Sequence, residues 1–471
     1  MPFYLRYLGV ESYGLIGFLT FTQSVVVALL DFGLGPTISR EVARGSAQGN
    51  LQVASELLHT LAMIYWATAA AIFAAFLLAA PLIAGRWLST EALSVEAVTS
   101  AAAFIGLVIA CRWPLGLYQS VLVGAQRLAT SSAINIAIVT VANVGGVAVL
   151  AFVSATAQAL FAWQGFVALI GSFAMMRAAW RAIGPTQRVP FNWDRLRRVW
   201  RFSAGVSLVA VTSIVLLQLD KGVLSSLLSL EQFGRYMLAV LVANSLYVLL
   251  RPLFNTIYPK MSALVASGSV DQLAEFYRTG TRALASVLFP IAAAVSASSI
   301  DLVYVWTRDA TTAQSVGPLV SLLVWGTALN GIMYFPYALQ LAFGRPRLAL
   351  TVNVALIAIY APIAVALTSA HGVVGGAAAW ATINVIYLFF GTWLTHRYLL
   401  RGIAARWLTG NVFVPLVVSA LVIGASTWIA REAPDSAVLR IVIAVVAAGV
   451  AVLANVAADR AAVRRLMDVW T

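Results

Sequence analysis

Apolar stretches of about twenty residues recur along the whole chain, separated by short charged or Gly/Pro-marked connections. A helix rises about 1.5 Å per residue, so a stretch of that length crosses a bilayer core of about 30 Å. Runs such as Leu61 to Ile83 are apolar on every face. A transmembrane barrel would need shorter segments of alternating polarity instead. Charged residues are 10% of the chain, hydrophobic residues 61%, and the mean hydropathy is +0.91. A soluble chain of 471 residues would need far more polar surface to cover its cores. The expected class is an all-α integral membrane protein.

Thirteen spans are expected. The first eight lie near Tyr13–Leu30, Leu57–Ile83, Val98–Val121, Ser131–Val153, Ala159–Met176, Phe202–Leu227, Tyr236–Ile257 and Ala283–Val305. The last five lie near Val316–Phe343, Leu348–Ser369, Val373–Thr395, Val412–Ile429 and Val438–Ala457. One set of alternate connections holds 21 of the 30 basic residues, from Arg40 and Arg44 to Arg460, Arg464 and Arg465. The opposite set holds six: Arg6, Arg86, Arg235, Arg308, Arg431 and Arg440. By the positive-inside rule the first set is cytoplasmic, which expects Met1 outside and Thr471 inside.

The formal charge of +13 is therefore read as topology and not as a nucleic-acid footprint. The single cysteine, Cys111, falls inside a span, so no intramolecular disulfide can form. The start, Met1 to Arg6, lacks a basic leader followed by an apolar core, so no cleavable signal is expected.

An internal repeat organises the spans. Leu8-Gly9-Val10-Glu11-Ser12-Tyr13-Gly14 resembles Leu228-Ser229-Leu230-Glu231-Gln232-Phe233-Gly234 at an offset of 220 residues. The same offset pairs Arg40 with Lys260. Trp113-Pro114-Leu115 is echoed by Phe335-Pro336-Tyr337, Gly124 to Arg127 by Gly344 to Arg347, and Ile134 to Ala137 by Val352 to Ala355. Ala162-Trp163 is echoed by Ala379-Trp380. Each pair keeps its membrane side, so the expected architecture is two parallel six-helix bundles followed by a C-terminal helix pair. The expected divisions are residues 1–185 for the first bundle and 186–201 for a basic linker. The second bundle covers 202–400, and the last two helices with their tail cover 401–471.

The span at Phe202–Leu227 precedes the second copy of the repeated element, and its counterpart would fall largely before Met1. The first bundle is thus expected to lack its opening helix. A parent of fourteen spans, beginning about twenty to thirty residues upstream with both termini cytoplasmic, is the expectation.

At these elements the sequence resembles the polysaccharide transporter branch of the multidrug/oligosaccharidyl-lipid/polysaccharide exporter superfamily, the O-antigen-type flippases. Arg6-Tyr7-Leu8-Gly9-Val10-Glu11-Ser12-Tyr13-Gly14-Leu15 and Asp31-Phe32-Gly33-Leu34-Gly35-Pro36-Thr37-Ile38-Ser39-Arg40-Glu41 carry the likeness. Gln218-Leu219-Asp220-Lys221, Gln232 to Tyr236 and Ile257-Tyr258-Pro259-Lys260 add to it in the second half. The resemblance covers roughly Met1 to Leu400 and implies two bundles facing a central cavity. It also implies a polyprenyl-diphosphate-linked oligosaccharide substrate carried by alternating access. The missing first helix departs from the family pattern.

Ionisable groups at lipid depth are costly and single themselves out. Asp220 and Lys221 stand within the Phe202–Leu227 span, about 100° apart around a helix, so they are not expected to pair intimately with each other. Lys221 would meet a substrate diphosphate, with Asp220 as its partner or as a cation-coupling carboxylate; a structural bridge between helices stands equally. Arg112, near Pro114 and Gly116, offers a bidentate fork for phosphate, or else binds carbonyls freed by the proline. Arg251, preceding Pro252, is read in the same way. Asp31, Arg40 and Glu41 close a cytoplasmic end as a gate or, more simply, as a structural turn. Trp193, Leu196 and Trp200 in the linker mark an interfacial helix. Trp66, Trp87 and Trp306 read as interfacial belt residues. His59, His371 and His396 have no metal-ligand spacing, so no metal site and no cofactor is expected.

No DxD element, His–acid pair or Walker motif is present, which argues against a membrane glycosyltransferase or an ATPase. The expectation is a non-enzymatic flippase of the bacterial cell membrane, with lipid-linked oligosaccharide and membrane lipids as ligands. A polysaccharide polymerase and glycosyltransferases are the expected protein partners. The rival is an ion-coupled drug or metabolite antiporter of the same superfamily, which would have an acid-dominated cavity.

Overall fold

In a computed structural model, residues 2–30, 34–184, 193–431 and 436–458 are described, without the side chains of Pro2, residues 193–207, Arg251 and Arg431. The described backbone is helical apart from short turns. Among the described residues, twelve helical segments are long and apolar enough to cross a membrane. One of them, Pro346–Tyr398, has 53 residues, roughly 80 Å of helix and far more than one bilayer core. It breaks at Gly372, whose φ of 58° and ψ of −138° lie outside the helical region. A Cβ at Gly375 would run into the backbone carbonyl of Leu367, so the two limbs fold back closely on each other. The segment is two crossings, and the expected thirteen are recovered.

Packing divides the chain into residues Met1–Gly234 and Arg235–Thr471. The first unit contains α1 (Pro2–Leu30), α2 (Leu34–Ala47), α3 (Gln52–Leu82), α4 (Val95–Gly124), α5 (Leu128–Phe152), α6 (Ala157–Ile183) and α7 (Trp193–Leu227). It ends within α8 (Leu230–Ala243). The helix α7, expected to open the second bundle, packs along α1 and touches α2 and α3. That contact moves the packing boundary past it.

The centre of the first unit is α4, which lies against α3, α6 and α2. Small residues allow the approach: Gly106 meets the Phe76 side chain, and Gly124 meets the backbone of Ser39. Without a water-driven hydrophobic effect between helices in lipid, this close van der Waals fit is what holds them. Gly9 interrupts α1 with a φ of 76°, a conformation that suits glycine. The turn before it therefore lies against α5, where Tyr4 is buried and reaches Asn143. The segment around Arg40, read as a turn or gate, is the amphipathic helix α2. Its Ile38 and Val42 are fully buried, four residues apart on one face.

The second unit continues with α9 (Tyr247–Ala266), α10 (Val270–Ala297), α11 (Ser299–Thr307), α12 (Ala310–Ile332), α13 (Tyr334–Ala342) and α14 (Pro346–Tyr398). After it come the short α15 (Ala404–Arg406), α16 (Val414–Arg431) and α17 (Ala437–Ala457). The last two helices pair with each other and dock on α10, where Ala293, Ala294, Ile423, Ala444 and Ala447 form a small-residue core. Arg440 clasps Asp301 with two hydrogen bonds of 2.7 and 2.9 Å, fixing α17 to α11. Hydrogen bonds from Tyr247 to Asn330 and from Asn330 to Asn384 tie together the helix starting at Tyr247, α12 and the second limb of α14.

Candidate functional site

The notable polar centre of the first unit surrounds Arg112. Sequence places it seventeen residues into α4, between the buried Cys111 and Trp113, and the arginine itself is half-buried. The guanidinium donates to the amide oxygen of Gln23 at 2.9 Å and to that of Gln164 at 3.3 Å. Tyr4 stands close enough to interact with it electrostatically. Four elements thus converge: the segment before Gly9, the body of α1, α4 and α6. Both hydrogen-bond partners are neutral, and among the described residues no carboxylate pairs with Arg112. Two amide dipoles orient the fork but do not cancel its charge, which is the arrangement an anion would complete.

Asp220 and Lys221 behave differently from expectation. Lys221 Nζ donates to both carboxylate oxygens of Asp220, at 2.9 and 3.0 Å, and to the Leu217 carbonyl at 2.7 Å. Adjacent helical positions do diverge by about 100°, but the four-carbon lysine stem curls back across that angle. Both residues are buried, Asp220 at 1% and Lys221 at 8% exposure. The two opposite charges therefore pair with each other at lipid depth, and Lys221 is engaged by a carboxylate where Arg112 is held by amides.

Of the remaining expected residues, Arg40 and Glu41 form a 3.1 Å ion pair on the solvent side of α2, with the Arg40 side chain 56% exposed. Asp31 and the side chain of Arg251 lie outside the described residues, as do the side chains of Trp193, Leu196 and Trp200.

A second constellation, not singled out by residue type, gathers around the repeated element. Glu11 is buried and its carboxylate accepts three backbone N–H groups, from Glu91 at 2.7 Å, Ala92 at 2.9 Å and Leu93 at 3.1 Å. The same loop accepts at Ser89 from the Leu230 N–H at 2.7 Å, and Trp87 donates to Ser225 at 3.1 Å. Residues 87–93 thus bind α1, α7 and the start of α8 together.

Under this loop the two copies of the element meet reciprocally. A Cβ at Gly14 would strike the carbonyl oxygen of Leu230, and one at Gly234 would strike that of Val10. Val10 and Leu230 are themselves 220 residues apart, like Gly14 and Gly234. The contact has the local two-fold symmetry that the repeat demands, and it explains why both copies carry glycine. Trp66 and Trp87, expected only as belt residues, also use their indole N–H groups internally, on Tyr118 and Ser225.

Replacing Glu11 by Gln keeps one acceptor oxygen but removes the charge from three short hydrogen bonds. A loss of about 2 kcal/mol of stability is expected, on the scale of charge-assisted bonds. Thermal unfolding of the purified protein measures it. An unchanged midpoint would mean that the carboxylate does not hold the loop.

The sequence matches the family described as polysaccharide biosynthesis protein over residues 1–265. No curated protein is recognisably similar to the chain in sequence. Among solved structures, an inward-facing multidrug resistance MATE family transporter of the MOP superfamily superposes with a TM-score of 0.67 at 12% identity. That alignment covers 84% of this chain and 93% of the other. The lipid II flippase MurJ, in an inward closed conformation, gives 0.64 at 12% identity and covers 98% of this chain and 100% of its own. The Vibrio cholerae MATE transporter VcmN gives 0.54 at 14% identity, over 86% and 98% of the two chains. At such identities the likeness concerns the fold. The chain belongs to the polysaccharide biosynthesis protein family and has the fold of the MOP-superfamily transporters.

Proposed function

We propose that this protein is a flippase that carries a polyprenyl-diphosphate-linked oligosaccharide across the bacterial cell membrane by alternating access. The observation that carries the reading is Arg112, a cation at lipid depth held by two glutamines and by no carboxylate among the described residues. A charge within a spanning segment is costly, and a bound anion would offset that cost. A diphosphate is the natural complement of its fork.

The orientation follows the positive-inside rule, with Arg397, Arg401 and Arg406 cytoplasmic and the 87–93 loop outside. In that orientation the Glu11 loop and the reciprocal glycine contact form an outer closure, one that must part for release. Arg40 and Glu41, with Asp31, remain the proposed gate at the inner end. The polysaccharide polymerase and glycosyltransferases of the same pathway are the proposed partners, and no chemical step is assigned to this chain.

A cation-coupled antiporter would need a carboxylate that exchanges its counter-ion during the cycle. Asp220 and Glu11 are buried carboxylates; Lys221 binds the first and three backbone N–H groups bind the second, which speaks against that role. Deletion of the gene tests the proposal directly. Lipid-linked oligosaccharide is expected to accumulate on the cytoplasmic face, with loss of surface glycan. Normal surface glycan without accumulation would overturn it.

A further inference from the structure

A cavity of about 570 Å³ opens where α14 ends, lined by Trp393, His396, Arg397, Tyr398 and Arg401, with Gly402 and Ala404 beside them. That volume lies within the range of small-ligand sites, about 300–1,000 Å³. Its charge is of one sign. From Ala310 to Arg431 the chain contains no Asp or Glu at all. Among the described residues no carboxylate pairs with Arg397 or Arg401.

The two arginines are positioned and not merely present. Arg397 lies over the indole of Trp393, 5.3 Å from the ring centroid, which holds its guanidinium against an aromatic face. Arg401 donates its Nε to the Arg397 carbonyl at 3.2 Å, which caps the end of the helix and leaves both Nη groups for another acceptor. Trp393 is 51% exposed. An apolar ring beside two forks, at the end of a membrane span, matches a molecule with a phosphate above and hydrocarbon below.

We infer that this cavity binds the phosphate of a membrane lipid, gripped by Arg397 and Arg401 and flanked by Trp393. In the proposed orientation it lies at the headgroup level of the inner leaflet. The shared chemistry is a lipid phosphate, and two lipids can supply it: a resident anionic phospholipid, or a polyprenyl diphosphate approaching from the cytoplasmic side. The inference does not depend on transport, since binding is read without it.

The full chain, reconstituted in nanodiscs and released into detergent, is measured by native mass spectrometry. Wild type is expected to retain phosphatidylglycerol at least about tenfold better than phosphatidylethanolamine, and R397Q/R401Q to lose that preference. R397K/R401K keeps the charge without the fork and should retain an intermediate amount. Adding polyprenyl diphosphate separates the sources. Its displacement of phosphatidylglycerol at equimolar concentration identifies the diphosphate carrier, and its failure to do so identifies a resident phospholipid.

Equal retention of the two phospholipids by wild type would overturn the inference, even if the glutamine variant did not fold. So would unchanged retention by a folded R397Q/R401Q. Lost lipid selectivity with normal surface glycan would leave the flippase reading intact.

Discussion

Arg112→Gln is expected to lower transport of lipid-linked oligosaccharide about a hundredfold. The substitution removes the one charge in a cluster otherwise made of amides and a phenol, while a glutamine there can still pair with Gln23 and Gln164. The fold therefore loses little. A diphosphate would lose a charge-assisted bidentate contact worth about 3 kcal/mol, which is roughly two orders of magnitude in binding. Arg112→Lys restores the charge but not the planar fork, so transport between the two is expected. The measurement is flux into proteoliposomes per folded molecule. A purely structural arginine would instead reduce the amount of folded protein and leave flux per molecule unchanged, and that result would sink the assignment.

Lys221→Ala is expected to destabilise the first unit by about 3–5 kcal/mol. Removing the ammonium takes from Asp220, at 1% exposure, the cation that binds both of its carboxylate oxygens. Breaking one side of a buried pair costs far more than the pair contributes. The double replacement of Asp220 and Lys221 by Ala removes both charges and is expected to cost much less than the single one. Thermal unfolding of the three variants in detergent decides the matter. If the double variant is as unstable as Lys221→Ala alone, the two groups are not each other's main partners. If it is stable but inactive, the pair acts in the transport cycle as well.

The two predictions treat superficially similar residues in opposite ways, and the difference was not available from the chain alone. Arg112 and Lys221 are both cations inside apolar spans. Hydropathy flags them equally, because it sees a charge but not what touches it. Gln23 and Gln164 are ordinary polar residues in their own spans, and nothing in their neighbours marks them as partners of a residue 89 or 52 positions away. The Asp220–Lys221 pair shows a related limit. Helical geometry separates the Cβ atoms correctly, yet the flexible lysine stem decides where the charge ends up.

The repeated Leu-x-x-Glu-x-aromatic-Gly element was legible as a motif, but its purpose was not. Sequence assigns its glutamate no partner, and in the structure three N–H groups of a distant loop point at Glu11. Its glycine is equally silent in the sequence, and in the structure the partner carbonyl lies where a Cβ would go. The symmetry of the repeat was the available signal: two copies of one element that keep the same membrane side are candidates to meet.

Sequence by itself determined the helical class, the thirteen crossings and the internal repeat. Those properties depend on bilayer thickness, backbone hydrogen bonding and local periodicity, all of which act along the chain. Tertiary structure alone decided that Arg112 rests on amides, that Lys221 pairs with Asp220, that Glu11 binds a distant loop, and that the two glycines of the repeat meet. Those outcomes depend on helix rotation and on side-chain reach between helices far apart in sequence. Lipid tails are as apolar as leucine, so an apolar face does not turn a spanning helix towards its neighbours. Packing of small residues and buried polar contacts sets that rotation instead.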